Sequence, residues 1–116
     1  MRVAIYCRIA TASQTDADNF AIHAQRDVLI SYARQRDFEI TKIYTDIGYK
    51  GHDLMRPGLC EMIKDAEQGM FDAVLVRNPT RLFRGSILMF PKLPVSVIFA
   101  DIQNFKQKGT HNRDNR

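Results

Sequence analysis

Four short apolar runs, separated by stretches of helical period, restrict this chain more than any other property of it. The runs are residues 2–7, 38–44, 71–76 and 95–100. In the first, Val3, Ile5 and Cys7 alternate with Ala4 and Tyr6, so both faces are apolar, as in a strand buried inside a parallel sheet. Phe38 to Tyr44 alternates with period two. Between these two runs, residues 18–36 place Ala21, Ala24, Val28 and Tyr32 at helical spacing, with Leu29 and Ala33 widening the stripe. Asp16 or Asp18 is suited to cap this helix, the longest in the chain. Asp46 to Pro57 holds Gly48, Gly51 and Pro57 and reads as a loop. Pro57 then opens a helix whose buried face is Leu59, Met62, Ile63 and Ala66, stopped by Gly69. Strands alternating with helices predict a layered α/β fold with right-handed crossovers. The expected architecture is a three-layer domain with a central, mostly parallel sheet of four to five strands flanked by helices.

Beyond residue 78 the pattern is less regular. Pro79 ends the third strand, and Arg81 and Arg84 stand three apart, on one face if they share a helical turn. Pro91 and Pro94 leave room for about two turns of helix between them and Gly85. The expected organisation is one domain over residues 1–104 and a basic, polar, disordered tail over 105–116. That tail has Lys106, Lys108, Arg113 and Arg116 against Asp114 alone, so it carries +3 of the +4 net charge. The body is near neutral, and an anion site in it must come from clustered arginines rather than bulk charge.

Several function classes find no support. No run is long and apolar enough to cross a bilayer, and no hydrophobic leader follows Met1-Arg2, so the expected compartment is the cytoplasm. Cys7 and Cys60 lack zinc-ligand spacing and are expected to be buried, reduced and inert. His23, His52 and His111 have no ligand spacing either, so no metal is expected. Glu39, Glu61 and Glu67 are scattered over solvent faces, which does not suit paired-carboxylate catalysis. No glycine-rich nucleotide loop is present. What remains is the polar segment after the first strand, with Arg8, Thr11, Ser13 and Gln14, which suits an oxygen-rich anion such as a phosphate. A strand that breaks into a polar loop before a helix is where α/β proteins place their chemistry.

Three separated motifs, in order, resemble the catalytic domain of the serine recombinases, the resolvase/invertase family. The first is Tyr6-x-Arg8-Ile9-Ala10-Thr11-x-x-Gln14, where the family has Tyr-x-Arg-Val-Ser-Thr-x-x-Gln. The second runs from Tyr44-Thr45-Asp46 through Gly51 to Arg56-Pro57-Gly58-Leu59, and the third from Phe71-Asp72-x-Val74-Leu75-Val76 to Arg81-Leu82-x-Arg84. Gln25 also falls where the family has a glutamine. The resemblance implies site-specific DNA recombination, in which a serine hydroxyl attacks a phosphodiester and the resulting phosphoserine later reverses onto a new strand end. Neither metal nor nucleotide cofactor is needed, because the linkage keeps the bond energy. It further implies that Arg8, Arg56, Arg81 and Arg84 surround the phosphate, where fixed guanidinium groups stabilise developing charge, and that Gln25 and Asp46 orient their neighbours.

Two departures follow from the same comparison. Ala10 occupies the nucleophile position and has no attacking oxygen, so the resemblance implies a catalytically silent domain. Thr11 points to the opposite side of an extended segment, and Ser13 would need the backbone to rearrange. Thr80 stands before Arg81, where many relatives have Asp or Ser. The family's long dimer-forming helix after the last strand is expected to be missing, exposing apolar surface around Ile87, Leu88, Met89 and Phe90. The implied partner is the DNA backbone. The alternatives are a non-catalytic remnant that pairs with a full-length recombinase or binds DNA backbone weakly through its arginines, and a phosphate- or nucleotide-binding domain sharing only the layered fold.

Overall fold

The structure, a computed structural model, describes residues 1–9, 16–85 and 90–100. Four strands, β1 (Arg2–Ile9), β2 (Glu39–Ile47), β3 (Ala73–Val76) and β4 (Ser96–Phe99), form one sheet in the order β2-β1-β3-β4. Every pairing is parallel. Helix α1 (Asp16–Gln35) joins β1 to β2, and α2 (Pro57–Glu67) joins β2 to β3. These connections run in opposite directions along the sheet, so right-handed crossovers put the two helices on opposite faces. One core accordingly lies between α1 and the sheet, built on Val3, Ile5, Cys7, Ile22, Leu29, Ala33 and Leu75. The other lies under α2, built on Ala4, Tyr6, Tyr44, Leu59, Met62, Phe71, Val74 and Val76. The three-layer α/β architecture is the expected one, with four strands among the described residues.

Several local readings need correction. The inward face of α1 is Ile22, Gln25, Leu29 and Ala33, while Ala21 is exposed and Ala24, Val28 and Tyr32 are only half-buried. The helix is turned by about one residue because Ile22 and Leu29 offer the sheet more apolar area than alanines, and because Gln25 has a partner there. Strand β2 does not keep strict alternation. Its register with β1 shifts between Val3 and Ala4, leaving Thr41 as the extra residue. Ile40 therefore packs toward α1, whereas Tyr44 packs toward α2. Asp46 is not in a loop but inside β2, opposite Arg8. On α2, Ile63 is only half-buried and Asp65 joins the inward face. The Asp65 carboxylate accepts hydrogen bonds from Tyr44 Oη (2.7 Å) and Lys42 Nζ (3.3 Å). The Tyr44 hydroxyl, followed by Lys42, holds the Asp65 carboxyl below its ordinary range.

Cys7 is buried as expected, and desolvation pushes its thiol up to about 12. Cys60 is exposed on α2, because the 3.6-residue period turns the position after Leu59 outward. Helix α3 (Pro79–Leu82) is a single turn capped by the Asn78 side chain, which accepts from the Arg81 N–H at 3.2 Å. It ends before Phe83, which is extended, so Arg81 and Arg84 do not share a helical face. Phe90 is half-buried and its ring lies 5.3 Å from that of Phe83, while residues 86–89 and the tail 105–116 lie outside the described residues.

Candidate functional site

In the order β2-β1-β3-β4 the chain leaves β1 toward one edge and returns on its other side, so the carboxyl ends of β1 and β3 flank a topological switch point, where open α/β sheets bind their ligands. Strand β1 outruns β3 there. Its last partner on β3 pairs Tyr6 with Val76, whereas its pairing with β2 continues to Ile9. The Arg8 peptide groups thus lack a β3 neighbour, and Gln25 supplies one. Its Oε1 accepts from the Arg8 N–H at 3.1 Å, and its Nε2 donates to the Arg8 carbonyl at 3.3 Å. A side-chain amide from α1 imitates one peptide of the absent strand and explains why a glutamine is buried in an apolar face.

The Arg8 side chain is itself buried and is held by backbone carbonyls. Its Nε donates to Arg81 O (3.2 Å), Nη1 to Tyr49 O (3.0 Å) and Nη2 to Thr80 O (2.6 Å). Arg56, fully buried just before α2, donates through Nη2 to the Leu82 carbonyl. Helix α3 is too short to use these carbonyls internally, so two guanidinium groups cap its C-terminal end. Arg81 returns the contact, with Nη1 donating to the Arg8 carbonyl at 3.3 Å. Arg8, Arg56, Arg81 and Gln25 are therefore linked through backbone atoms into one assembly.

Asp46 stands beside it. Its carboxylate accepts from Tyr6 Oη (2.7 Å) and from the N–H groups of Gly58 (2.8 Å) and Leu59 (2.9 Å). It caps the first turn of α2 from a neighbouring strand, in place of the N-cap residue Arg56, whose own side chain makes no cap bond. A Cβ on Gly58 would lie 2.9 Å from Asp46 Oδ2, so this approach requires glycine. The Arg56 guanidinium also lies 5.6 Å from the centre of the Tyr6 ring. Tyr6, Asp46 and α2 thereby fix where Arg56 sits. Arg84 is different: its side chain is exposed, its N–H donates to Gly51 O at 3.0 Å, and a Cβ on Gly51 would fall 2.8 Å from Arg84 Cγ and 3.0 Å from Arg8 Nη2.

The electrostatics of this assembly are unbalanced. Among the described residues, no carboxylate pairs with Arg8, Arg56, Arg81 or Arg84, since the ion pairs are Arg2–Asp72 and those of Lys42 with Glu61 and Asp65. Burial, and then the charge of Arg56, holds the Arg8 guanidinium below its ordinary value. Three buried donors, Arg56 Nε, Arg56 Nη1 and Arg81 Nε, have no acceptor among the described residues. Like-charged groups with unused donors cost free energy unless an anion completes them. Tetrahedral oxyanions, with several acceptor oxygens, match that need. No three His, Cys, Asp or Glu side chains converge among the described residues. No helix there is long and apolar enough to cross a membrane.

Of the site residues expected from sequence, Arg8, Gln25, Arg56 and Arg81 are brought together. Asp46 touches the assembly through Tyr6 and α2, and Arg84 lies at its rim. Ala10, which follows the last residue of β1 in sequence, lies outside the described residues. Sequence reasoning gave Tyr6 no role beyond its motif and missed the carbonyls of Tyr49, Thr80 and Leu82. Backbone acceptors have no residue-type signal. The signal for Gly58 was its place after Pro57, where a helix former would be ordinary.

The fold and site define a parallel α/β domain with buried arginines gathered at its strand ends. Within it, residues 3–110 match the family "Resolvase, N terminal domain", and the chain belongs to the resolvase family. It is similar to the N-terminal catalytic domain of TP901-1 integrase, with a TM-score of 0.73 and 34% identity over 86% of this chain and 78% of that one. The C-terminal catalytic domain of ISC1926 TnpA, an IS607-like serine recombinase, superposes with a TM-score of 0.77 over 98% of this chain and 89% of that one. At 22% identity this shows likeness of fold. "Uncharacterized immunity region protein 3" of Bacillus phage phi105 is 34% identical over 68 residues, 59% of this chain and 82% of that protein.

Proposed function

We propose that this chain is a serine-recombinase catalytic domain that engages a DNA backbone phosphate through Arg8, Arg56, Arg81 and Arg84, and that Ala10 leaves it unable to form the phosphoserine. The observation that carries this reading is the set of buried guanidinium donors without acceptors at the carboxyl ends of β1 and β3. A phosphodiester oxygen supplies the acceptor those donors lack. As an attacking hydroxyl displaced a deoxyribose oxygen, the same donors would meet the extra charge on the non-bridging phosphate oxygens. Alanine offers no such hydroxyl, and the remaining charges cannot replace the attacking atom.

Restoring the oxygen tests this. The Ala10→Ser variant, incubated with nicked or supercoiled DNA carrying the recombination site of its own element, is expected to give a protein–DNA adduct that survives denaturing electrophoresis. The unaltered chain is expected to give none, and an adduct from it would overturn the silence. A second reading, a non-catalytic domain that pairs with a full-length recombinase, is favoured by an apolar cavity of about 430 Å³ beside β4. Leu82, Phe90, Leu93, Val95, Val97 and Phe99 are among its lining residues, and Phe99 is 44% exposed. Binding to a full-length recombinase that is lost when this surface is charged, as in Phe99→Asp, would decide for that reading.

A further inference from the structure

The unpaired positive charge extends beyond the residues that the family resemblance points to. Residues 77–100 contain Arg77, Arg81, Arg84 and Lys92 and no acidic residue at all. Arg77 directly follows β3, is half-buried and has no hydrogen-bond or ion-pair partner among the described residues. It immediately precedes Asn78, the cap of α3, and its charge acts on Arg81. Lys50 lies between two residues that touch the assembly: the Tyr49 carbonyl accepts from Arg8, and Gly51 packs on the Arg84 stem. It is exposed and likewise unpaired, and it lines an open cavity of about 570 Å³ with Tyr49, His52 and Asp53. Two acids described near it are already engaged, Asp46 by Tyr6 and α2 and Asp53 by the Met55 N–H at 2.8 Å.

We infer that Arg77 and Lys50 prolong the arginine assembly into a track for consecutive phosphates of one DNA strand, so that the domain grips a run of backbone rather than a single phosphate. This rests on the DNA reading above and adds to it two residues outside the proposed reaction centre. Burial, and then the charges of Arg77 and Arg84, holds the Arg81 guanidinium below its ordinary value, as expected of cations close together.

The number of phosphates held can be read from salt dependence, because each neutralised phosphate of duplex DNA contributes about −0.9 to the slope of log affinity against log salt. A fluorescently labelled duplex oligonucleotide, titrated with the full chain from about 50 to about 200 mM salt, is the probe. Arg77→Gln and Lys50→Gln are each expected to reduce the slope by about 0.9 and to weaken unrelated duplexes alike. Arg77→Lys should keep the slope, and Lys64→Gln, on the far half of α2, should leave it unchanged. Thermal midpoints matching the parent chain guard against a folding defect. Binding by the parent with an unaltered slope in both glutamine variants would overturn the track alone. Absence of binding by the parent chain would overturn the DNA reading itself.

Discussion

Losing the Asp46 carboxylate would strip the partner from the Tyr6 hydroxyl and from the first free donors of α2 at the same time. All three groups are buried, and an orphaned buried donor costs about 1–3 kcal/mol. Asp46→Ala is therefore expected to lower unfolding free energy by about 3 kcal/mol or more, measured by urea denaturation. Asp46→Asn keeps one acceptor oxygen and should lose roughly half of that. A decrease of only a few tenths would mean that the carboxylate does not hold these groups. The residue is structural in its contacts and functional in its consequence, because the helix start that it pins is where Arg56 departs. Burial and the bond to Asp46 both raise the Tyr6 hydroxyl well above the ordinary tyrosine value, so it remains a donor at every pH where the fold survives.

At the scale of elements, the one-turn helix α3 is held by guanidinium groups reaching from β1 and from the start of α2. Arg56 is the informative one, because among the described residues its side chain makes one hydrogen bond and leaves two buried donors without an acceptor. Replacing a poorly satisfied buried charge with an apolar side chain of similar volume is often neutral or stabilising, by about 1–4 kcal/mol. Arg56→Met is expected to match or exceed the parent chain in urea midpoint while binding DNA more weakly. A destabilised Met variant would show that Arg56 serves the fold rather than a ligand. The sequence made the elements legible because strand runs and helical stripes differ in period. It misjudged the phase of α1 because alanines and larger apolar residues share neighbouring positions, and only packing against the sheet ranks Ile22 and Leu29 above Ala21 and Ala24. The arginines and Gln25 were legible as a set through three spaced motifs. That Gln25 stands in for a strand, and that Arg8 spends its donors on carbonyls, depends on where β3 ends, which no residue type announces.

Over the whole molecule, charge is sorted along the strands. The ion pairs Arg2–Asp72, Lys42–Glu61 and Lys42–Asp65 gather toward the amino half of the sheet. Arg8, Arg56, Arg77, Arg81 and Arg84 stand at the other end, without carboxylate partners among the described residues. Anions that occupy this end should stabilise the fold by linkage, by about 2.7 kcal/mol when present at a hundred times their dissociation constant. Inorganic phosphate is expected to raise the thermal midpoint above that in chloride at equal ionic strength, and Arg81→Ala should remove the difference. Equal midpoints in the two salts for the parent chain would count against a built oxyanion site.

The extra residue at Thr41 has a consequence for how such a chain tolerates changes in length. Pairing of β1 with β2 changes phase there, and Thr41 Oγ1 donates to the Val3 carbonyl at 3.2 Å. The two halves of β2 are thus indexed independently, and the distance from the end of α1 to Lys42 is uncoupled from the placement of Asp46. A codon gained or lost before Lys42 can be absorbed by shifting or erasing the bulge. One gained or lost between Lys42 and Asp46 would turn the carboxylate into the α1 layer, leaving the Tyr6 hydroxyl and the start of α2 without their acceptor. Tolerance to insertion in this strand is one-sided, and the boundary lies at Lys42.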